Sequence, residues 1–126
     1  MTTTAIGRSY EDAACAHLET LGYRVVTRNF RTVGGEIDII AFDDDVLCFV
    51  EVRGRAADAF GDPMETIDNR KIGRVIHAAR AYVATLVGTW PLMRFDVIGI
   101  LDGEPIRLIR NAFDTSRVGA GPRSFA

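Results

Sequence analysis

Glu36-Ile-Asp-Ile-Ile-Ala-Phe42 and Val46-Leu-Cys-Phe-Val-Glu-Val-Arg53 are the two stretches that decide the fold of this chain. Both are short, apolar and rich in β-branched residues, which is typical of buried strands. The three aspartates between them, residues 43–45, favour a tight turn. The sequence therefore predicts a β-hairpin over residues 36–53.

The segments outside this hairpin complete a mixed α/β pattern. In chain order, we predict a helix that Ser9 caps and Gly22 ends, a strand over 23–30, a loop over 54–63, a helix over 65–87 and strands over 94–101 and 105–109. The order α-β-β-β-α-β-β predicts an α/β fold, with a mixed sheet flanked by helices. We expect a loose leader over 1–8, a single domain over 1–113 and a flexible C-terminal tail over 114–126.

Length and composition limit the classes of protein that need to be considered. A chain of 126 residues with 48% hydrophobic and 25% charged residues is typical of one globular domain. The sequence has no apolar run of about 18 residues and no signal-peptide pattern, which predicts a cytoplasmic protein without a membrane span. Cys15 and Cys48 lack the spacing of a disulfide framework or a zinc site. The net charge of -2 excludes a globally basic nucleic-acid coat.

Two acidic residues, Asp38 and Glu51, lie inside the apolar strands of the hairpin. Aspartate and glutamate are poor strand formers, and burying them without a partner is costly. If Asp43 opposes Val46 across a two-residue turn, Asp38 faces Glu51 directly, with Cβ atoms roughly 5 Å apart. A register shifted by one residue would place the two carboxylates on opposite faces of the sheet.

The predicted register also brings Glu36 opposite Arg53, so carboxylates and an arginine converge on one patch of the sheet. Two carboxylates this close need a shared proton, a cation or a metal ion. Ligands that are all oxygen select Mg²⁺ or Mn²⁺, and such an ion can activate water and offset charge on a phosphate. The alternative is that Asp38 and Glu51 each pair with arginines as ordinary surface ion pairs, and the pattern does not decide between the two.

A series of motifs in order resembles the YraN-like family of small bacterial proteins. The motifs are Gly7 with Tyr10-Glu11, Leu21-Gly22-Tyr23, Arg28-Asn29-Phe30, Gly35-Glu-Ile-Asp-Ile-Ile-Ala41, Phe49-Val-Glu-Val-Arg53 and Arg94-Phe-Asp-Val-Ile98. That family is similar to archaeal Holliday-junction resolvases and belongs to the PD-(D/E)xK nuclease-like superfamily. The resemblance covers roughly residues 5–113. It implies a restriction-endonuclease-like fold and a metal-dependent endonuclease that acts on structured or branched DNA.

The resemblance also implies roles for individual residues. Asp38 matches the metal-binding aspartate of the superfamily, and Glu51 matches the acidic residue of its (D/E)xK element. The carbonyl of Val52 is an expected further ligand for one or two Mg²⁺ or Mn²⁺ ions. Glu11, on the first helix, matches an acidic residue that resolvase-like members bring to the same site. The alternative for Glu11 is a first-turn glutamate that the helix dipole favours.

Arg53 departs from the superfamily pattern, because it occupies the position of the lysine. In the superfamily, that lysine is thought to position the attacking water and to stabilise charge at the phosphate. An arginine binds phosphate well but cannot act as a base. Lys71, the only lysine of the chain, can replace it if the second helix approaches the site. The alternative for Lys71 is a solvated helix residue.

The second predicted helix presents basic residues at helical spacing. Arg70, Arg74 and His77 share one stripe, as phosphate-backbone binding requires. The expected nucleic-acid surface adds Lys71, Arg24, Arg28, Arg31 and Arg55. The alternative is that these charges are simply the solvated face of a helix.

Three other interpretations stay open at this point. An RNase-H-like site would use the triad Asp38, Glu51 and Asp96, although the helix before the first strand and the Glu-Val-Arg element favour the nuclease superfamily. A non-catalytic nucleic-acid-binding module would keep the fold and lose cleavage with its lysine, and a protein-interaction scaffold would not bind DNA. A homodimer would suit cleavage of both strands of a four-way junction.

Overall fold

The fold is described from a computed structural model, in which residues 2–55 and 69–115 are described. Their helices and strands are α1 (Thr2–Thr20), β1 (Arg24–Thr32), β2 (Gly35–Asp43), β3 (Val46–Arg55), α2 (Asn69–Val83), β4 (Leu92–Leu101) and β5 (Arg107–Phe113). The predicted order α-β-β-β-α-β-β is confirmed. The loop over 56–63, residues 65–68 of the predicted helix and most of the predicted tail lie outside the described residues.

The strands of the described part form one five-stranded sheet in the order β1-β2-β3-β4-β5. Neighbouring strands are antiparallel except β3 and β4, which are parallel. Parallel neighbours need a long crossover connection, and α2 lies in it. The prediction of a mixed sheet flanked by helices is therefore confirmed, in agreement with the fold that the resemblance implied.

Each face of the sheet packs against one helix and has its own apolar core. On one face, Ile72 of α2 is buried with Phe49 of β3. On the other face, Leu18 of α1 is buried with Cys48. Because successive side chains of a strand point to opposite faces, Glu51 lies on the same face as Phe49. The fold therefore directs Glu51 toward α2.

The predicted boundaries of both helices need correction. α1 already begins at Thr2, so Ser9 is not its N-cap and residues 2–8 are not a loose leader. Serine is only mildly unfavourable inside a helix, so it does not force a helix to begin. α2 ends at Val83 and not at Val87, because the backbone hydrogen bonds shorten there to i→i+3 turns, such as Leu86 N–H to the Val83 carbonyl.

The last strand is longer than predicted, since β5 continues to Phe113. The ring of Phe113 is buried and stacks on Phe95, with ring centroids 5.0 Å apart, so the core includes a residue beyond the predicted end of this strand. Both cysteines are buried and free. None of the helices in the described ranges is long and apolar enough to cross a membrane.

Candidate active site

The β2–β3 hairpin has the predicted register. Asp43 pairs with Val46, and the same register continues to Ile39 and Val50, where the pairing ends. Beyond this pair, the backbone N–H of Val52 donates a hydrogen bond to Oδ2 of the Asp38 side chain, at 2.8 Å. The Asp38 carboxylate thus accepts the bond that a backbone carbonyl of β2 would accept in a regular ladder. The backbone pairing of β2 with β3 therefore ends where Asp38 and Glu51 lie.

The sheet forks at this point. β2 stays paired with β1 as far as Gly35, whereas β3 stays paired with β4 as far as Arg55. α2 lies directly against the β1–β2 hairpin, since a Cβ atom at Gly35 would collide with the carbonyl oxygen of Arg74. His77 adds a hydrogen bond of 2.9 Å between its Nε2 and the carbonyl of Val33, in the turn of the same hairpin. This close packing brings the first turn of α2 to the fork.

Glu51 is a buried carboxylate with incomplete hydrogen bonding. Its side chain is 2% exposed, and its Oε2 lies 3.4 Å from Lys71 Nζ and 3.7 Å from Arg53 Nη1. Its other oxygen, Oε1, is buried and accepts no hydrogen bond when Glu51 is ionised. Burial, and then the negative charge of Asp38, raise the pKa of Glu51 to about 8, although Lys71 acts in the opposite direction. The structure therefore brings the two predicted carboxylates close enough to interact strongly.

Lys71 lies beside this pair. Its side chain is 26% exposed, and its Nζ lies between Glu51 and Glu36, 3.6 Å from Oε1 of the latter. The lysine that the sequence offered as a replacement for the superfamily lysine is thus at the site. Glu36 was predicted to face Arg53. In the described part of the chain, it forms ion pairs with Lys71, Arg31 and Arg74.

Glu11 does not join the two carboxylates. Its Oε1 accepts a hydrogen bond of 2.9 Å from Asn29 and lies 3.5 Å from Arg28. Among the residues that the structure describes, no three His, Cys, Asp or Glu side chains are grouped closely enough to hold a metal ion. The structure thus binds this side chain to β1, on the α1 face of the sheet, and its support of the metal site stays a prediction.

The predicted basic surface is only partly assembled around the fork. Arg31 and Arg74 lie near the fork, where each forms an ion pair with Glu36. Arg70 is exposed on α2. Arg28 is engaged elsewhere, since its Nη2 donates a hydrogen bond of 2.8 Å to Asp12 of α1. The remaining predicted members have other surroundings: the guanidinium of Arg24 stacks over the ring of Phe42, Arg55 is half-buried, and the ring of His77 is bonded to the β1–β2 turn.

Comparison with known proteins identifies the family. The chain matches, over residues 10–100, the family described as "Uncharacterised protein family UPF0102". The chain belongs to this family. The predicted YraN-like resemblance is thereby confirmed. The matched region extends from α1 to β4 and includes Asp38, Glu51 and Lys71.

Several UPF0102 proteins are similar to this chain over most of their length. A UPF0102 protein of Dechloromonas aromatica is 47% identical over 113 residues, which cover 89% of this chain and 91% of that protein. One from Cupriavidus taiwanensis is 45% identical over 120 residues, covering 93% and 88%. One from Chlorobaculum tepidum is 45% identical over 96 residues, covering 76% and 74%.

The side chains of this UPF0102 protein fit a hard divalent cation. A buried carboxylate oxygen without a partner is costly, and an ion next to Oε1 of Glu51 would offset that cost. Mg²⁺ commonly uses only one or two protein carboxylates and keeps several waters, so Asp38 and Glu51 suffice as its protein ligands. The backbone of Val52 orients Asp38 through its N–H, whereas the role of its carbonyl as a ligand stays a prediction.

Asp96 belongs to a different group, on the α1 face. It accepts hydrogen bonds of 2.9 Å from the hydroxyl of Tyr23, 2.8 Å from Nε of Arg94 and 3.0 Å from the backbone N–H of Asn111. The triad of Asp38, Glu51 and Asp96 is therefore wrong, because Asp96 lies on the opposite face of the sheet from Glu51.

The sequence did not predict the hydrogen-bonded group around Asp96. Arg94 also donates a bond of 2.9 Å to Asp43, and its hydrogen bonds, above all to Asp96, raise its pKa further above the usual value. Burial, and then the charge of Asp96, raise the pKa of Tyr23 to about 12. An arginine two residues before a buried aspartate on one strand was the available signal, since both side chains share a face.

Proposed function

We propose that this UPF0102 protein is a metal-dependent phosphodiesterase that cleaves structured or branched DNA. One observation carries the proposal: Oε1 of Glu51 is buried without a partner beside Asp38, while Lys71 and Arg53 lie against Oε2. In such a site, Oε1 of Glu51 lacks a hydrogen-bond partner and would bind a cation. Lys71 and Arg53, beside Oε2, would bind a phosphate. Strongly shifted pKa values at such sites are a recognised sign of function. The similarity of the family to resolvases supports the choice of DNA as the substrate.

Asp38 and Glu51 are the residues that would hold the ion. When bound, Mg²⁺ or Mn²⁺ supplies a Lewis acid for the phosphate and lowers the pKa of a water. Lys71 and Arg53 bind the phosphate oxygens through charge-assisted hydrogen bonds. An arginine cannot act as a base, so the task of Arg53 is to hold the phosphate. Lysine, unlike arginine, is a residue type that can serve as a base, and Lys71 is the one that lies at this site.

The surrounding charges favour a nucleic acid. Arg31, Arg70 and Arg74 lie on the α2 side of the fork and can bind backbone phosphates on either side of the scissile bond. These contacts position a substrate without reading its sequence, as recognition of a branched structure requires. A two-fold dimer would place two such sites on the two strands of a four-way junction. We expect this activity in the cytoplasm.

A divalent-ion titration tests the proposal. The chain is incubated with a four-way junction, a single strand and a linear duplex, with Mg²⁺, Mn²⁺ or EDTA, and products are resolved on denaturing gels. We expect cleavage only with Mg²⁺ or Mn²⁺, and about a hundredfold or greater loss of rate in Asp38→Asn and Glu51→Gln. Asp45→Asn is the matched control, because this exposed carboxylate lies in the hairpin turn at the other end of β2 and β3.

The second candidate is a nucleic-acid-binding module without catalysis, which is favoured by the arginine at position 53. It predicts DNA binding in gel-shift experiments and no cleavage with any divalent ion. If Arg53→Lys also fails to cleave, the phosphodiesterase proposal is wrong. If the chain does not bind DNA even at low salt, both candidates are wrong and a protein-interaction scaffold is favoured.

A further inference from the structure

Glu36 is a carboxylate to which the proposed reaction assigns no role, yet three cationic side chains converge on it. Its Oε1 lies 3.6 Å from Lys71 Nζ and 3.9 Å from Arg74 Nη2, and its Oε2 lies 3.5 Å from Arg31 Nε. Lys71 also lies 3.4 Å from Oε2 of Glu51. The ammonium of Lys71 is thus held between carboxylates from two different strands, β2 and β3.

The backbone explains why Glu36 reaches α2. Glu36 pairs with Arg31 across the β1–β2 hairpin, and the neighbouring Gly35 is in such close contact with α2 that no larger residue fits. Lys71 and Arg74 are three residues apart on α2, so they share the face that meets Glu36. The contact between hairpin and helix therefore determines where the ammonium of Lys71 lies.

A lysine needs such an arrangement to act at a defined position. Its ammonium is a point charge on a flexible four-carbon stem, unlike the planar fork of an arginine. A single carboxylate would leave the ammonium free to move around one oxygen. The side chains of Glu36 and Glu51 together restrict it to the region between them, next to the proposed phosphate-binding side of the site.

We propose that Glu36 is a positioning residue, which holds the ammonium of Lys71 against Glu51. Its effect on cleavage rests on the proposed function, whereas the placement of Lys71 does not. Glu36 acts through its negative charge, so a neutral isostere should release Lys71 even though it fills the same space. Arg74 and Arg31 then keep the hairpin side of the site positively charged.

The composition of the chain makes this placement directly measurable. Because Lys71 is the only lysine, protein labelled with ¹⁵N at the lysine side chain gives a single ammonium signal in a nitrogen–proton correlation spectrum. In the full chain, with and without Mg²⁺, we expect a sharp signal from an ammonium that exchanges slowly. Glu36→Gln should shift this signal and make its protons exchange several-fold faster, and Glu36→Asp should restore part of the protection. Glu19→Gln is the control, because Glu19 is exposed on α1, on the other face of the sheet.

Cleavage kinetics provide the second measurement. Glu36→Gln should lower kcat about tenfold, the size of effect that a small misplacement of a reacting group produces. KM for DNA should stay the same or fall, since a negative charge is removed from a basic surface. In a Lys71→Met background, Glu36→Gln should cause no further loss, which a double-mutant cycle measures. A purely structural role would lower the unfolding midpoint and would act equally in both backgrounds.

The outcomes separate this inference from the proposed function. An unchanged Lys71 signal in folded Glu36→Gln overturns the positioning role, whether or not the protein cleaves DNA. A released Lys71 signal together with no cleavage by the wild type supports the positioning role and contradicts the phosphodiesterase. Losses in kcat that add fully in the Lys71→Met background show that Glu36 does not act through Lys71. If Glu36→Gln does not fold, Glu36→Ala decides, because an unchanged Lys71 signal in this folded neutral variant overturns the inference.

Discussion

Glu51 and Asp96 are two buried acidic side chains on adjacent parallel strands, and their surroundings differ sharply. Glu51 is 2% and Asp96 0% exposed, and they point to opposite faces of the sheet. Both oxygens of Asp96 accept hydrogen bonds, from Tyr23, Arg94 and Asn111. One oxygen of Glu51 is buried and accepts none.

The difference separates a structural carboxylate from a candidate functional one. Buried polar groups are almost always hydrogen-bonded, so a buried carboxylate that is not needs an explanation. Asp96 needs no such explanation, because its hydrogen bonds are satisfied. Arg94 joins it to Asp43 and Tyr23 and thereby connects β4 with β2 and the start of β1. For Glu51, the proposed divalent ion would supply the missing partner.

Removing the satisfied carboxylate should have the largest effect. Asp96→Ala leaves the largely buried guanidinium of Arg94 with Asp43 as its remaining carboxylate partner and deprives Tyr23 of its acceptor. We expect the free energy of unfolding to fall by about 3–5 kcal/mol, as when one member of a buried ion pair is removed. Urea unfolding followed by circular dichroism measures it. A loss below about 1 kcal/mol would mean that this group does not hold the fold together.

The raised pKa of Glu51 gives a pH-dependent prediction. The folded protein keeps the Glu51 proton up to about pH 8, whereas the unfolded chain releases it near the usual glutamate pKa of 4.5. Between these values the folded state binds more protons, so stability falls as pH rises. Each pKa unit corresponds to about 1.4 kcal/mol of unfolding free energy. In EDTA, the stability of Glu51→Gln relative to the wild type should therefore increase by roughly 2–4 kcal/mol as the pH rises from about 5 to about 8.

Unfolding of the two proteins in parallel at each pH isolates this carboxylate from the others. Asp45→Asn is the matched control, because it removes an exposed carboxylate instead of a buried one. Parallel profiles for Glu51→Gln and the wild type would show that Glu51 is ionised at neutral pH, and the contrast with Asp96 would then disappear.

An exposed ion pair should show the smallest effect. Arg28 and Asp12 form a hydrogen bond of 2.8 Å, as short as the bond between Arg94 and Asp96, but their side chains are 33% and 63% exposed. Solvent screening and side-chain entropy leave such pairs worth under about 1 kcal/mol. Asp12→Ala should therefore cost less than that in the same urea experiment. A loss comparable to that of Asp96→Ala would show that distance, and not burial, sets the strength of these pairs.

The sequence predicted the hairpin and its pair of carboxylates correctly because the information there is local. A two-residue turn and the alternation of apolar residues determine which residues face each other, and this placed Asp38 opposite Glu51. Local signals were weaker at the boundaries of elements. Ser9 is compatible with both the cap and the interior of a helix, and Phe113 shows its place in the core only when Phe95 is beside it.

Local patterns were therefore enough to predict the α/β order, the register of β2 and β3 and the candidates Asp38 and Glu51. The packing of distant segments was needed to show that Lys71 reaches the site and that Asp96 does not. Lys71 reaches Glu51 because α2 packs on Gly35, and Asp96 is satisfied by Tyr23, 73 residues away in the chain. As single acids within apolar strands, Glu51 and Asp96 look alike in sequence. Their roles differ because hydrogen-bond partners are supplied by distant segments, which local patterns do not encode.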